Sequence, residues 1–353
     1  MTHPYLSMGE SAFWKSAVAD KETSDLSGLW QPKFRIRPRD CIVTAGSCFA
    51  QHIGRALHGR GYGWVDAEPA PPYVLGADAR ALNYGIFTFR TGNIYTPRML
   101  NQWLGLAFGG FDSDEVWQRD GRVYDPLRPL IEPNGFASHD ELFAARAATC
   151  AAMRDTLARA DLFVFTLGLT ESWQNSGTGL EYAMCPGTVA GEFDAAQHRF
   201  SNANMRVVFR ELDRALRTLR RHNKNMRVLL TVSPVPLTAT ASGKHVMTAT
   251  TYSKSVLRAV AGQMAEEVKW VDYFPSYEII TSPVFGGQYY APNQRSVEPQ
   301  GVDRVMAQFF ADQEAAFGAN KPQNRRVPDQ GDAISATDDD VKCEEELLGA
   351  FAA

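Results

Sequence analysis

The sequence has no Cys-x-x-Cys pair, no Gly-x-Gly-x-x-Gly, no Walker-type phosphate loop and no apolar run that approaches a membrane span. A nucleotide cofactor is therefore not indicated, and neither is a membrane span. Cysteine is scarce, with five in all (Cys41, Cys48, Cys150, Cys185, Cys343). Their odd number and wide spacing argue against a disulfide framework and match no zinc pattern. An excess of positive charge is also missing: 36 Lys and Arg stand against 40 Asp and Glu, leaving a formal charge of −4. That balance gives no footprint for nucleic acid. The basic cluster Arg217, Arg220, Arg221, Lys224 and Arg227 reads as the solvated end of a helix, with cations at its negative pole. The N-terminus shows no cationic-then-apolar leader, since Glu10 and Lys15 interrupt it. With free thiols and no leader, the expectation is a cytoplasmic protein needing no metal and no cofactor.

What is present is enough apolar sequence for a large core: 353 residues, 44% of them hydrophobic. Strands alternate with helices. Cys41–Ala45 reads as a strand, followed by a helix from about Cys48 to Arg60 with Gly61 as C-cap. A Gly- and Pro-rich region runs to about Asn134, and Ser138-His139-Asp140-Glu141 is a capping box that opens an Ala-rich helix. Leu162–Gly168 is a continuous apolar strand of the fully buried, parallel type. A helix over about Asn204–Arg221 leads to the strand Val228–Val232, and one around Ser253–Met264 leads to the strand Val268–Tyr273. The last helix spans about Gln300–Phe317. This alternation predicts a three-layer α/β/α sandwich with a mostly parallel sheet. The expected division is an arm over residues 1–38 packed on the domain, the domain itself over 39–318, and an acidic tail over 319–353. That tail, with Asp338-Asp339-Asp340 and Glu344-Glu345-Glu346, reads as disordered. Its apolar residues Val341, Leu347, Leu348 and Phe351 offer a short helix for a protein partner.

The chemistry points to Thr44-Ala45-Gly46-Ser47-Cys48-Phe49-Ala50, a strand end, a Gly turn, a Ser and a helix start. Such a turn lifts a hydroxyl to the carboxyl edge of a sheet, at the positive end of a helix dipole. There it can act as a nucleophile, and its own backbone N–H can help bind an oxyanion. The same position also suits a plain N-cap. Cys48 is the second nucleophile available here, because thiol pKa values fall at helix N-termini.

The run Gly46-Ser47-Cys48-Phe49-Ala50 resembles the name motif of the GSCFA family. The similarity continues through Asn93-Ile94-Tyr95-Thr96-Pro97, Thr231–Val235, Tyr252-Ser253-Lys254 and Tyr273–Glu278. That family is in turn similar to the SGNH/GDSL hydrolases, which are α/β/α esterases, acyltransferases and deacetylases, and it is linked to modification of bacterial polysaccharides. The resemblance implies Ser47 as nucleophile, with Gly46 where the SGNH pattern has Asp. It implies an oxyanion hole from the N–H groups of Ser47 and Gly92, with Gly85 as fallback. Gly168-Leu169-Thr170 takes the place of the Gly-x-Asn block, so Thr170 stands for Asn. The closing Asp-x-x-His block falls on Arg295-Ser296-Val297-Glu298 and has lost both its Asp and its His.

A Ser hydroxyl needs a base. Of the seven histidines, His245 is the expected one, in a polar loop Thr238–Thr251 beyond a strand end. His198 is an alternative, and His52 reads as structural. Glu278 is expected to orient the His or replace it, and Glu298 is a further candidate base whose pKa burial would have to raise. Asn93 or Asn175 is expected to supply an amide, and Trp173 or the pair Tyr289-Tyr290 a stacking face for substrate. The expected function is a serine esterase or O-acyltransferase acting on acyl, including acetyl, esters of a carbohydrate or glycan precursor. The alternative is a non-catalytic glycan- or protein-binding module on the same scaffold. A Cys48 thioesterase or redox role ranks third.

Overall fold

The computed structural model describes residues 3–320 and 343–352. Apolar runs become the strands of a parallel sheet. Strands β1 (Ile42–Gly46), β4 (Leu162–Leu167), β8 (Arg227–Val232) and β9 (Val271–Tyr273) lie side by side in the order β1-β4-β8-β9. All their pairings are parallel. β4 is buried along its whole length, which is why it carries no polar alternation. Leu162 and Val164 face one layer, and Phe163, Phe165 and Leu167 face the other.

Helices cover both faces. α4 (His139–Leu157), α5 (Met205–His222) and α6 (Val246–Glu267) return the chain to successive strands and pack on one side together with α3 (Pro97–Phe108). On the other side lie α1 (Phe49–Gly59), α7 (Ser276–Thr281) and α8 (Pro299–Phe317). The result is the expected three-layer α/β/α sandwich. From the arm, Leu26, Trp30 and Ile36 join the second layer, and two α8 side chains accept its backbone N–H groups: Asp312 from Trp30 at 3.0 Å and Gln313 from Ile36 at 2.9 Å. No helix among the described residues is long and apolar enough to cross a membrane.

Local signals explain the helix starts. Ser138 Oγ accepts from Glu141 N at 3.2 Å, while Glu141 reaches back to Ala137 N at 2.6 Å, one residue outside an ideal capping box. Asn204 caps α5 through Val207 N at 3.1 Å.

Three parts differ from expectation. The Gly- and Pro-rich stretch contains α3, opened by Thr96 as N-cap and Pro97 in its first turn, and a hairpin of β2 (Trp117–Arg119) and β3 (Arg122–Tyr124). A short α2 (Gly76–Ala81) precedes them. A second, antiparallel sheet follows β4, made of β5 (Glu171–Asn175), β6 (Glu181–Tyr182) and β7 (His198–Asn202) in the order β6-β5-β7. Finally, α6 begins at Val246, well before Ser253. Its Thr-rich first turns are tolerated because the Thr248 and Thr251 hydroxyls donate to His245 and Met247 carbonyls at 3.0 Å.

Candidate active site

The turn after β1 is set by sterics. Gly46 has φ +131°, and a Cβ there would meet the Thr166 carbonyl oxygen at 2.3 Å, so only glycine fits between β1 and β4. Ser47 follows at 2% exposure, and its Oγ takes no hydrogen bond among the described residues. Its own N–H donates to Thr166 O at 3.0 Å. The expected use of that N–H in an oxyanion hole is therefore corrected: the sheet consumes it.

A segment with further donors runs alongside Gly46, whose carbonyl accepts from Ile94 N at 2.7 Å. One residue before, Asn93 N–H donates to Glu344 Oε1 at 3.3 Å. Asn93 Nδ2 donates to Glu344 Oε2, and the Tyr95 hydroxyl reaches the same oxygen at 2.8 Å. Gln51 of α1 donates to Asn93 Oδ1 at 3.0 Å and so turns the amide nitrogen toward this point. Gly92, at φ +69°, contributes space: a Cβ there would lie 3.1 Å from Glu344 Oε1. The groups that meet the Glu344 carboxylate are thus Asn93 and Tyr95, with Gly92 leaving the room it occupies.

Lys254 is the group sequence reasoning passed over. It lies on α6, is 1% exposed, and donates to Gly168 O at 2.8 Å. Ser47 packs on the same glycine, with its Cβ 3.0 Å from where a Gly168 Cβ would be. Burial lowers the Lys254 pKa to about 8, against the opposing pull of Glu345 and Cys48. Arg295, at the place of the missing Asp, pairs with Glu345 at 3.4 Å and Glu346 at 3.0 Å.

The carboxylates that fill this site belong to the chain's own tail. Glu344–Phe351 forms a 3-10 helix, Glu344 is buried, and Glu345 accepts from Thr238 N at 2.9 Å. The segment expected to stand in solvent or meet a partner packs here on its own domain; Val341 and residues 321–342 lie outside the described residues. Beyond Tyr95 opens an apolar cavity of about 440 Å³. Met99, Leu169, Trp173, Phe193 and Phe200 line it, and the tail's Leu348 and Phe351 close it. Trp173 meets Phe193 and Phe200 edge-on, at ring distances of 5.2 and 5.6 Å, so it is a cavity wall.

The other expected residues are not brought to Ser47. His245 is exposed and is the N-cap of α6, where its Nδ1 accepts from Met247 N at 3.2 Å. From Val246 on, the loop meant to carry it across the site is the first turns of α6. Glu278 is tied to Arg258 and accepts from Tyr273 Oη at 2.8 Å. Glu298 is the N-cap residue of α8. The Thr170 hydroxyl donates to Asn202 Oδ1 at 2.8 Å and its N–H to Ser253 Oγ at 3.1 Å, so both its donors serve packing. His198 accepts from Asp194 N at 3.0 Å through Nδ1, and burial holds the His52 pKa down to about 4.

These placements give the quoted motifs a common geometry: Gly46-Ser47, Asn93-Ile94-Tyr95 and Lys254 converge at one edge of the parallel sheet. A comparison with curated proteins finds no match. The sequence model of the GSCFA family matches residues 41–309, which includes every one of those motifs and most of the chain, and this protein therefore belongs to the GSCFA family.

Proposed function

We propose that this chain is a serine esterase or O-acyltransferase working through an acyl-enzyme on Ser47. One observation carries the reading: beside an unpaired, buried Ser47 hydroxyl, Asn93 N–H, Asn93 Nδ2 and Tyr95 Oη together hold a carboxylate. Donors that grip a carboxylate oxygen are the donors a tetrahedral oxyanion needs. Lys254 supplies the base that no histidine supplies, since a lysine lowered to about 8 is partly neutral near pH 7.

In the proposed reaction Ser47 Oγ attacks the ester carbonyl carbon, and its proton passes to neutral Lys254. Asn93 and Tyr95 hold the negative oxygen. The C–O bond to the alcohol breaks, and the departing oxygen takes the proton from Lys254. Water or a second hydroxyl then attacks the acyl group and regenerates Ser47. The apolar cavity behind Tyr95 suits the acyl portion. A carbohydrate alcohol is the expectation the family resemblance adds.

A fluorophosphonate probe tests the reading. Wild type is expected to label and Ser47→Ala to lose all labelling with an unchanged melting temperature. Folded wild type that never labels would sink it. A second reading then gains: a carboxylate-binding module. Arg295 and Glu298, at the positions of the missing Asp and His, and the bound Glu344 favour that alternative.

A further inference from the structure

Two cysteines far apart in the chain meet at the mouth of this site. Cys48 is the buried N-cap residue of α1, next to Ser47. Cys343 is the half-buried residue that opens the tail helix. Ser47, the neighbour of Cys48, and Tyr95, whose hydroxyl holds Glu344, the neighbour of Cys343, both pack on Gly168, which brings the two cysteines to one place. Arg295 Nη2 donates to the Cys343 sulfur at 3.6 Å. The pairing does not depend on the cysteines alone. Glu344, through Asn93 and Tyr95, and Glu345, through Thr238 N and Arg295, anchor the residues that follow.

We propose that Cys48 and Cys343 are a redox-reactive thiol pair, which a peroxide converts into a disulfide that pins residues 343–351 across the Ser47 site. The hydrogen bond from Cys48, and then the Arg295 charge, hold the Cys343 thiol below its usual range, so it supplies the thiolate. Cys48 is pushed up by the same hydrogen bond and by burial, and remains the resolving thiol. Burial raises Cys41 and Cys150, and lifts Cys185 to about 11, so they are poor competitors.

The chemistry balances. The Cys343 thiolate attacks one peroxide oxygen, the O–O bond breaks, and hydroxide leaves; Cys343 is now a sulfenic acid. The Cys48 sulfur attacks the Cys343 sulfur, the S–S bond forms, and the sulfenic oxygen leaves as water with the Cys48 proton. Two thiols are oxidised and one peroxide is reduced to two waters. A dithiol reverses the bond by exchange. The consequence for catalysis rests on the reading of Ser47 as nucleophile; formation of the bond does not.

The experiment treats the full chain with stoichiometric hydrogen peroxide and maps it by non-reducing peptide mass spectrometry. The expected result is a Cys48–Cys343 link, lost on adding dithiothreitol and absent from Cys48→Ser and Cys343→Ser. A link between other cysteines, or Cys343 passing to sulfinic acid without a link, overturns the proposal. Fluorophosphonate labelling is read in parallel. Oxidised wild type is expected to label at least about tenfold more slowly than reduced, since an intramolecular cover is hard to displace, while Cys343→Ser is unchanged by peroxide. Unchanged labelling of linked wild type overturns the pinning. If reduced wild type never labels, the esterase reading fails and the peptide map still decides the thiol pair.

Discussion

Two buried charge clusters of this protein look alike on paper and behave differently. One centres on Asp125, whose carboxylate accepts from Arg128 Nε at 3.0 Å, Arg146 at 2.8 and 3.1 Å, and Leu127 N at 3.1 Å. Arg128 goes on to Arg90 O and Thr149 Oγ1 at 2.6 and 2.7 Å. Burial alone would raise the Asp125 pKa, but the two arginines outweigh it and hold the carboxyl below its usual range. Glu68 accepts from Thr149 Oγ1 at 2.8 Å and from Arg90 N at 2.7 Å, so its members lie between residues 68 and 149. The other cluster joins Cys48, Lys254, Arg295, Cys343 and Glu345, taken from α1, α6, the approach to α8 and the tail. Beside it the Ser47 hydroxyl is left unpaired, and a lysine is pushed toward neutrality. A network centred on one paired carboxylate within one stretch of chain secures the fold. A network gathered from four separate parts of the chain, with a lysine pushed toward neutrality, is the kind in which functional groups are found.

Breaking the first cluster should show in stability. Asp125→Ala strands two buried guanidinium groups and is expected to cost about 3–5 kcal/mol, read as a drop in denaturation midpoint. A loss below about 1 kcal/mol would remove the distinction between the clusters. The second cluster should respond in rate. Asn93→Ala removes a donor of the proposed oxyanion site and is expected to lower kcat by about 10²–10³, beyond the stability loss of about 1–3 kcal/mol from the stranded Gln51 amide. Equal losses for Thr170→Ala would restore that residue to the oxyanion role.

The two clusters should also differ in pH. The Asp125 carboxyl is depressed, so its stabilisation is present above the ordinary carboxylate range and is lost as pH falls through it. Between neutral and mildly alkaline pH it should be silent. In the proposed reaction Lys254 works only when neutral, so labelling of Ser47 is expected to rise about tenfold per unit below pH 8 and level off above it. A profile set by a group near 6.5 would point to a histidine instead. The smallest effect is the most pointed. Glu344→Gln weakens a charge-assisted contact of the tail, and labelling is expected to accelerate by about tenfold or less. A slower rate in that variant would mean that the tail assists the reaction.

The order of these effects reflects what the sequence made legible. The central strands announce themselves as apolar runs, and Gly46-Ser47 between a strand and a helix marks the turn without homologues. In the second block Gly92 signals a backbone gap, while the groups that hold Glu344 are Asn93 and Tyr95 beside it. His245 misled because a Thr-rich helix start looks like a polar loop until its hydroxyls are seen bonding back to carbonyls. Lys254 entered only within the motif Tyr252-Ser253-Lys254 and without a role, since a lysine on a helix is ordinary until packing against Gly168 buries it. The antiparallel sheet escaped because β6 is only two residues long. The seating of the tail escaped because Glu344 and Asn93 are separated by 251 positions, a pairing that no local pattern encodes.

The seating of the tail sets a scale for every ligand of this site. Cys343–Phe351 belongs to the same molecule as Asn93, Tyr95 and Arg295, so diluting the protein does not dilute it. A tethered segment meets its target at an effective concentration of order millimolar when its linker allows the reach. A free acyl ligand therefore competes against a standing occupant. Its apparent affinity is reduced by the fraction of molecules in which the tail is away. Ligand titrations on the intact chain should accordingly report an apparent constant that is independent of protein concentration and weaker than the cavity's intrinsic one.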